Sequence, residues 1–445
     1  MTSSAGASSA GDPAHQPAAP APAPARRYWL DWQRGLAVLF MVEVHVLDAW
    51  TVPGGRLGHE RLYDALQFIG GLAAPGFLYM AGISQSLADQ AAARRGAGPA
   101  ARRSAAVDRG IWLLGVAYLF RIFSFVAGGA WGPGWGLPYV LGVDVLAVVG
   151  FGATLAVKLG AWHPRRPRLV LWGGLGLVLA DFLWKGGWRW DGWQDVVKVD
   201  VLNVIAVGMV ASAWLGIGRR RWVGVSLEAA AAVLAILATP WVAVWLGWRD
   251  QPEQLARLAA HPLERLLDVP LAYLHGRPPR SQFDLFNWIA FLLAGAAIAP
   301  LATGRSRPVA LLSLAAALHL LGRAIDPLLR LPSVEPGFWW RESPSWFLTR
   351  LAICVAISGA LQLVPGRAEP LLRWLSLLGR QSLPGYMVSV ELTYGGAAAA
   401  LARAVPMPWV VGLMVDMALA TWVACRAWEW WTGRERRRAA ASSAA

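Results

Sequence analysis

One apolar segment near the start of the chain carries more ionisable residues than a helix surrounded by lipid tolerates. It reads LDWQRGLAVLFMVEVHVLDAW over residues 30–50. Its ionisable side chains are Asp31, Arg34, Glu43, His45 and Asp48. Such side chains inside a membrane face protein or water, and they often mark a functional site. This segment is therefore our first candidate for chemistry.

The spacing of His45 and Asp48 suits acid–base catalysis. Residues three apart lie on one face of a helix, so the Asp48 carboxylate can orient the imidazole. An imidazole held in this way is a general base for the proton of an attacking hydroxyl or amine. We predict His45 as the base, with Asp48 or Glu43 as its orienting group. The alternative is a buried histidine that only bonds to a helix carbonyl.

Arg34 precedes His45 by 11 residues. At 1.5 Å per residue this step measures about 17 Å along a helix. If Arg34 lies at the cytoplasmic surface, His45 therefore lies near the middle of the bilayer. We predict an electrostatic role for Arg34.

Composition indicates that membrane helices position these groups. The 445-residue chain is 56% hydrophobic and only 15% charged, whereas soluble domains are roughly 25% charged. We predict an all-α, polytopic helical bundle in the lipid bilayer, with about 10–12 spanning helices. The apolar runs lie near 34–52, 66–88, 109–127, 139–158, 168–184, 199–217, 223–247, 286–303, 307–323, 345–364, 382–402 and 408–428.

The net charge of +14 comes from arginines at the ends of the apolar runs. They accumulate in every second loop, which is the pattern of cytoplasmic loops in membrane proteins. This pattern predicts that both termini are cytoplasmic. It also argues against a nucleic-acid partner, because the charges form no single basic face.

The chain divides into three predicted regions. Residues 1–25 form a disordered Ala/Pro-rich tail, residues 26–430 form one membrane domain, and residues 431–445 form a basic cytoplasmic tail. Scarce lysine with abundant Ala, Gly, Pro and Arg indicates a GC-rich bacterial genome, hence a multi-pass protein of the bacterial inner membrane. Cys354 and Cys425 are expected to pack in the core, and no Cys/His cluster predicts a metal site.

Other ionisable residues occur within the apolar runs. Arg121 lies deep in the third run, where we expect a carboxylate partner such as Glu43 or Asp31, or a substrate phosphate. Asp200 heads an apolar helix, where the helix dipole favours a carboxylate. Helix–helix hydrogen bonding is expected for three isolated polar residues, His319, Glu391 and Asp416.

The chain also resembles known membrane acyltransferases. The Arg34-x10-His45 spacing and the stretch LDWQRGLAVLFM resemble the start of the membrane acyltransferase-3 family. AAPGFLYMAGIS from Ala73 and three later stretches, which begin at Phe283, Phe338 and Leu375, resemble the heparan-α-glucosaminide N-acetyltransferase family. The resemblance covers residues 30–425, and its sharpest positions are Asp31, Arg34, Gly35, His45, Pro75 and Gly82.

This resemblance implies transfer of an acetyl or other acyl group from cytoplasmic acetyl-CoA to a hydroxyl or amine of an envelope glycan. It implies no metal cofactor. Donor phosphates would bind arginines of the cytoplasmic loop after the second apolar run and of the third run, although the positive-inside pattern also explains the loop charges. These candidates are Arg102, Arg103, Arg109 and Arg121. In the glucosaminide branch the catalytic histidine lies in the first outer loop, which makes His59 a second candidate, or a solvated surface histidine.

Two other classes of protein stay open. In a secondary transporter or proton-coupled exporter, Glu43, His45 and Asp48 would relay protons. In a non-catalytic helical scaffold, no cavity would reach His45. A homo-oligomer is also left open by the sequence.

Overall fold

We describe a computed structural model of the chain. It describes residues 27–124, 145–158, 164, 166–183, 199–219, 221–246, 253–254, 256–257, 261–275, 283–303, 307–329, 343–395 and 398–444. Within these residues the regular structure is helical, and β-type pairing is limited to isolated bridges, such as the one between Thr51 and Val405. The predicted all-α class is confirmed.

The described part of the chain contains fifteen named α-helices, which range from 8 to 38 residues. They are α1 Tyr28–Trp50, α2 Glu60–Gly70, α3 Ala73–Arg94, α4 Pro99–Ser124, α5 Val145–Lys158, α6 Pro167–Phe182, α7 Val201–Leu215, α8 Arg221–Leu246, α9 Pro262–Leu274, α10 Leu285–Ala302, α11 Arg307–Leu329, α12 Pro344–Leu363, α13 Arg373–Arg380, α14 Ser382–Tyr394 and α15 Met407–Ala444.

Six described segments are long and apolar enough to cross a membrane. They are Glu60–Arg94, Arg221–Leu246, Leu285–Ala302, Arg307–Pro327, Pro344–Leu363 and Met407–Arg434. Helix α1 is absent from this set although it has 23 residues, because its acidic and basic side chains lower its mean hydropathy. Each predicted apolar run overlaps a described helix, so the polytopic membrane bundle is confirmed.

Two helix boundaries differ from the sequence prediction. The predicted run 382–402 ends as a helix at Tyr394, where Gly395 caps it by donating to the Glu391 carbonyl. Helix α14 is therefore about 20 Å long, too short to cross the hydrocarbon core alone. Between the predicted runs 223–247 and 286–303, the structure has a further helix, α9. At the C-terminus, the basic tail continues α15 as a helix.

Helix α1 lies inside the bundle. It packs against α2, α3, α12, α13, α14 and α15. Trp32, Val38, Val42, Val46 and Leu47 point to different sides of this helix, and each is at most 1% exposed. Protein therefore surrounds most of α1, which explains how an ionisable helix is accommodated. We call the two ends of the bundle the Tyr28 end and the Trp50 end, after the first and last residues of α1.

Glycines allow the closest helix contacts around α1 and α3. A Cβ at Gly82 of α3 would overlap the Leu292 carbonyl oxygen of α10 and lie 2.7 Å from the Ala296 nitrogen. In the same way, Gly379 of α13 leaves no room for a Cβ beside the Asp31 carbonyl of α1. These contacts join backbones directly, so any added side-chain atom forces the helices apart.

We expect Gly82→Ala to destabilise the bundle by about 2 kcal/mol, because the new methyl group overlaps backbone atoms of α10 that cannot rotate away. The melting temperature of the purified protein in detergent measures this loss. The matched control is Gly115→Ala on α4, where a Cβ meets nothing within 4 Å. If both variants melt at the wild-type temperature, the α3–α10 packing described here is wrong.

Candidate active site

Arg34 and His45 lie on one unbroken helix, α1. Their separation along the axis is about 17 Å. Arg34 lies toward the Tyr28 end, where it donates to the Ser84 hydroxyl of α3. His45 lies in the half of the helix nearer the Trp50 end. The structure therefore splits the predicted site into two regions that share a helix.

His45 packs against Tyr394, the last residue of α14. The two ring centroids are 5.3 Å apart, and the rings meet edge to face. The His45 Nδ1 atom is buried and has no hydrogen-bond partner in the described part of the chain. The imidazole is therefore held by packing, and its Nδ1 atom stays unsatisfied among the described residues.

Asp48 and Glu43 do not hold the imidazole as we expected. Asp48 is exposed, and it accepts a hydrogen bond from the Tyr394 hydroxyl at 3.5 Å. Its link to His45 thus runs through the tyrosine. Glu43 lies toward Gly70 at the end of α2, and neither of its buried carboxylate oxygens has a described partner. Residues two apart on a helix point in different directions, which separates Glu43 from His45.

A polar cluster extends from Tyr394 into the bundle at the Trp50 end. One turn before Tyr394, the Glu391 carboxylate accepts a hydrogen bond from Ser124 at the end of α4. One turn earlier in α4, Arg121 Nε lies 3.1 Å from the Asp200 carboxylate. This ion pair is mostly buried, with the Asp200 side chain 4% exposed. The cluster brings together α1, α4, α7 and α14.

Arg121 pairs with a different carboxylate from those expected. The sequence suggested Glu43 or Asp31, but Asp200 is the partner. Asp200 is the N-cap of α7, where it accepts from the backbone of Leu202 at 2.9 Å. The expected role of Asp200 at a helix start is thus correct. Helices α4 and α7 pack side by side, which brings the arginine to the cap.

A second region opens at the Tyr28 end as a cavity of about 820 Å³. Four arginines line it, Arg27, Arg34, Arg94 and Arg307. Burial, followed by repulsion from Arg307 and Arg94, lowers the pKa of Arg27. The other lining residues are Tyr28, Trp29, Leu30, Asp31, Trp32, Leu87, Leu361, Gln362, Val364 and Gly366. One carboxylate facing four guanidinium groups gives this cavity a strong positive charge.

The four arginines predicted to bind the donor have different partners and do not meet at one site. Arg102 pairs with Asp89 at 2.7 Å. Arg103 donates to the Ile217 carbonyl at 3.1 Å and lies over the Trp214 ring. Arg109 is exposed and close enough to Arg34 to repel it. None of these three residues lines the 820 Å³ cavity, and Arg121 lies toward the opposite end of the bundle.

The second histidine candidate, His59, is exposed in the loop after α1 and is the residue directly before α2. No described hydrogen bond joins it to the cluster around Tyr394. His45 is thus half-buried against Tyr394, whereas His59 is exposed.

Sequence reasoning missed Tyr394, Glu391 and Ser124 as members of this cluster. Glu391 carried a usable signal, because an acidic residue within an apolar run is costly in lipid. Tyr394 carried none, because a tyrosine near the end of an apolar run equally suits the membrane interface. Its proximity to His45 depends on how α14 packs on α1.

Comparison with known families finds a likeness in the first part of the chain. Residues 26–130 match the family model described as "Heparan-alpha-glucosaminide N-acetyltransferase, catalytic". The match includes α1–α4, which carry Arg34, His45, Arg121 and Ser124. It confirms the predicted likeness to this acetyltransferase family, while the relation to the acyltransferase-3 family stays a prediction. It does not favour the transporter alternative. No curated protein and no solved structure matches the chain.

Removing Arg121 should show how much the buried Asp200 carboxylate depends on its counter-charge. We expect Arg121→Leu to destabilise the protein by about 3 kcal/mol, because it leaves the Asp200 carboxylate buried without a counter-charge. Adding Asp200→Asn should restore much of this loss, since asparagine keeps an oxygen for the helix cap. Melting temperatures of the wild type, the two single variants and the double variant complete a double-mutant cycle. Additive effects of the two substitutions would contradict the pairing.

Proposed function

We propose that this membrane protein of the heparan-α-glucosaminide N-acetyltransferase type transfers an acetyl group from acetyl-CoA to a hydroxyl or amine of an envelope glycan. The observation that carries the proposal is the layout of α1. This one helix joins a basic cavity at the Tyr28 end to the His45 imidazole toward the Trp50 end, whose Nδ1 atom has no hydrogen-bond partner among the described residues. A donor and an acceptor could thus approach the same reacting position from opposite ends.

The cavity at the Tyr28 end suits the phosphates of coenzyme A. Guanidinium groups bind phosphate through paired, charge-assisted hydrogen bonds. Arg27, Arg94 and Arg307 come from three separate elements, so they could contact different phosphates of one nucleotide. Tyr28 stacks on Trp32 at the same wall and offers an aromatic surface for the adenine. The pantetheine arm would then extend along α1 from Arg34 toward His45.

In the proposed reaction, His45 takes the proton from the attacking oxygen or nitrogen of the acceptor. That atom forms a bond to the thioester carbonyl carbon, and the carbon–sulfur bond then breaks. The coenzyme A thiolate leaves and accepts the proton from the imidazolium. Direct attack and a route through an acyl-histidine both use this imidazole, and burst kinetics distinguishes them.

The polar cluster at the Trp50 end would form the acceptor side. Glu391, Ser124 and Asp48 offer hydrogen-bonding groups of the kind that orient sugar hydroxyls. Tyr394, which is 46% exposed, connects this region to His45. The alternating arginine-rich loops support a cytoplasmic Tyr28 end and an external Trp50 end in the bacterial inner membrane.

The first test is His45→Gln in membranes supplied with labelled acetyl-CoA and a glycan extract. We expect transfer to fall at least about a hundredfold, because glutamine has no group that exchanges a proton at neutral pH. The matched control is His59→Gln, which changes an exposed histidine and should keep wild-type transfer. Full transfer by His45→Gln together with loss in His59→Gln would reverse the assignment.

The second test concerns the donor cavity. We expect Arg94→Gln combined with Arg307→Gln to raise the KM for acetyl-CoA at least about tenfold while kcat stays near wild type, because both arginines lie far from the reacting atoms. The KM of the wild type should also rise with salt concentration, and less so in the variant.

Arg95→Gln is the control for this cavity, since it removes a neighbouring exposed charge that does not line the cavity. Its KM should match that of the wild type. An equal rise in KM for Arg95→Gln would mean that overall charge, and not the cavity, attracts the donor.

A further inference from the structure

A separate groove lies at the Tyr28 end, between the short helix α13 and the part of α15 from Trp422 to Gly433. It consists of two adjoining cavities of about 510 Å³ and 660 Å³. Both are lined by Trp422, Arg426 and Glu429 of α15. Helix α13 separates this groove from the N-terminal part of α1, because Gly379 of α13 lies directly against Asp31. The groove shares no lining residue with the proposed donor cavity.

Three arginines and one carboxylate line the groove. Glu429 lies 2.6 Å from Arg380 and 2.9 Å from Arg426. Arg373, also on the wall, has no carboxylate partner in the part of the chain that the structure describes. The balance of charge is therefore positive, and Arg426, with a side chain 63% exposed, is accessible from outside. Guanidinium groups in this arrangement select an anion, and phosphate in particular.

The groove also contains a hydrogen-bond donor without a partner. The indole N–H of Trp422 is buried and unpaired in the described structure, although Trp422 lines both cavities. A buried donor of this kind costs free energy unless another molecule accepts its hydrogen bond. An oxygen of a phosphate group among the arginines would accept it.

An apolar strip leads away from the groove along α15. Val415, Leu419 and Val423 recur every four residues and are 67%, 58% and 53% exposed. Since residues four apart lie on one helix face, these side chains form a line that ends at Arg426. From Val415 to Arg426 the helix rises about 16 Å, close to half of a 30 Å hydrocarbon core. An acyl chain of one leaflet would cover this strip while its headgroup reached the arginines.

We propose that this groove binds an anionic phospholipid, with the phosphate among Arg373, Arg426 and Trp422 and an acyl chain along Val415–Val423. Two features favour a lipid over a soluble phosphate: the apolar strip is continuous with the basic groove, and Trp374 and Trp430 beside it are exposed, as aromatic residues of the membrane interface are. The site is independent of the acetyltransferase reaction, because it shares no residue with either proposed substrate region.

The test uses the full-length protein in detergent and measures its melting temperature with added phosphatidylglycerol or with phosphatidylcholine of the same acyl chains. We expect phosphatidylglycerol to raise the melting temperature well above the value with phosphatidylcholine, because ligand binding to the folded state stabilises it. Arg373→Gln combined with Arg426→Gln should weaken phosphatidylglycerol binding about 30-fold. The control, Arg219→Gln, removes an exposed arginine outside the groove and should respond as the wild type does.

A second variant, Trp422→Phe, tests the proposal even if the arginine double variant does not fold. Trp422→Phe retains an aromatic ring and removes only the N–H donor, and it should weaken phosphatidylglycerol binding about tenfold. Equal stabilisation by the two lipids, or an undiminished phosphatidylglycerol effect in both groove variants, would overturn the proposal. Equal stabilisation by inorganic phosphate would assign the groove to a soluble anion instead.

Discussion

The cost of placing charged groups in lipid is the constraint on which this structure depends. Helix α1 carries Arg34, Glu43 and His45 at depths where an isolated helix would expose them to hydrocarbon. The bundle meets this constraint by surrounding α1 with protein on most sides, so that residues as different as Trp32 and Val46 are both fully buried. The short helices α13 and α14 are among the helices that surround α1. A glycine of α13, Gly379, lets this helix contact the α1 backbone directly.

Helix α1 also sets the distance between the two proposed substrate regions. The basic cavity at one end and the imidazole toward the other are joined by an unbroken helix, so their separation does not depend on loops. An α-helix with fixed neighbours holds its side chains more precisely than a loop does. Such a support suits chemistry in which two substrates have to meet at one point.

Some polar groups toward the Trp50 end have ionic or hydrogen-bond partners, and others have none in the described structure. Arg121 pairs with Asp200, and Ser124 bonds to Glu391, so these side chains stabilise one another. His45 Nδ1 and both oxygens of Glu43 are buried without a described partner, which costs free energy. A fold keeps unsatisfied groups of this kind most readily where a bound molecule completes their hydrogen bonds. The location of the unsatisfied atoms on α1 thus agrees with the position of the proposed reaction.

The sequence by itself determined the helical membrane architecture, since apolar runs long enough to cross a bilayer can form little else. It also placed Arg34 and His45 on one helix, because this follows from their spacing within one apolar run. Only the tertiary structure decided their surroundings: Tyr394 contacts His45, Asp200 pairs with Arg121, and arginines from three separate elements converge with Arg34 on one cavity. Contacts between residues far apart in the chain depend on which helices pack together, and hydropathy and local spacing contain no information about that choice.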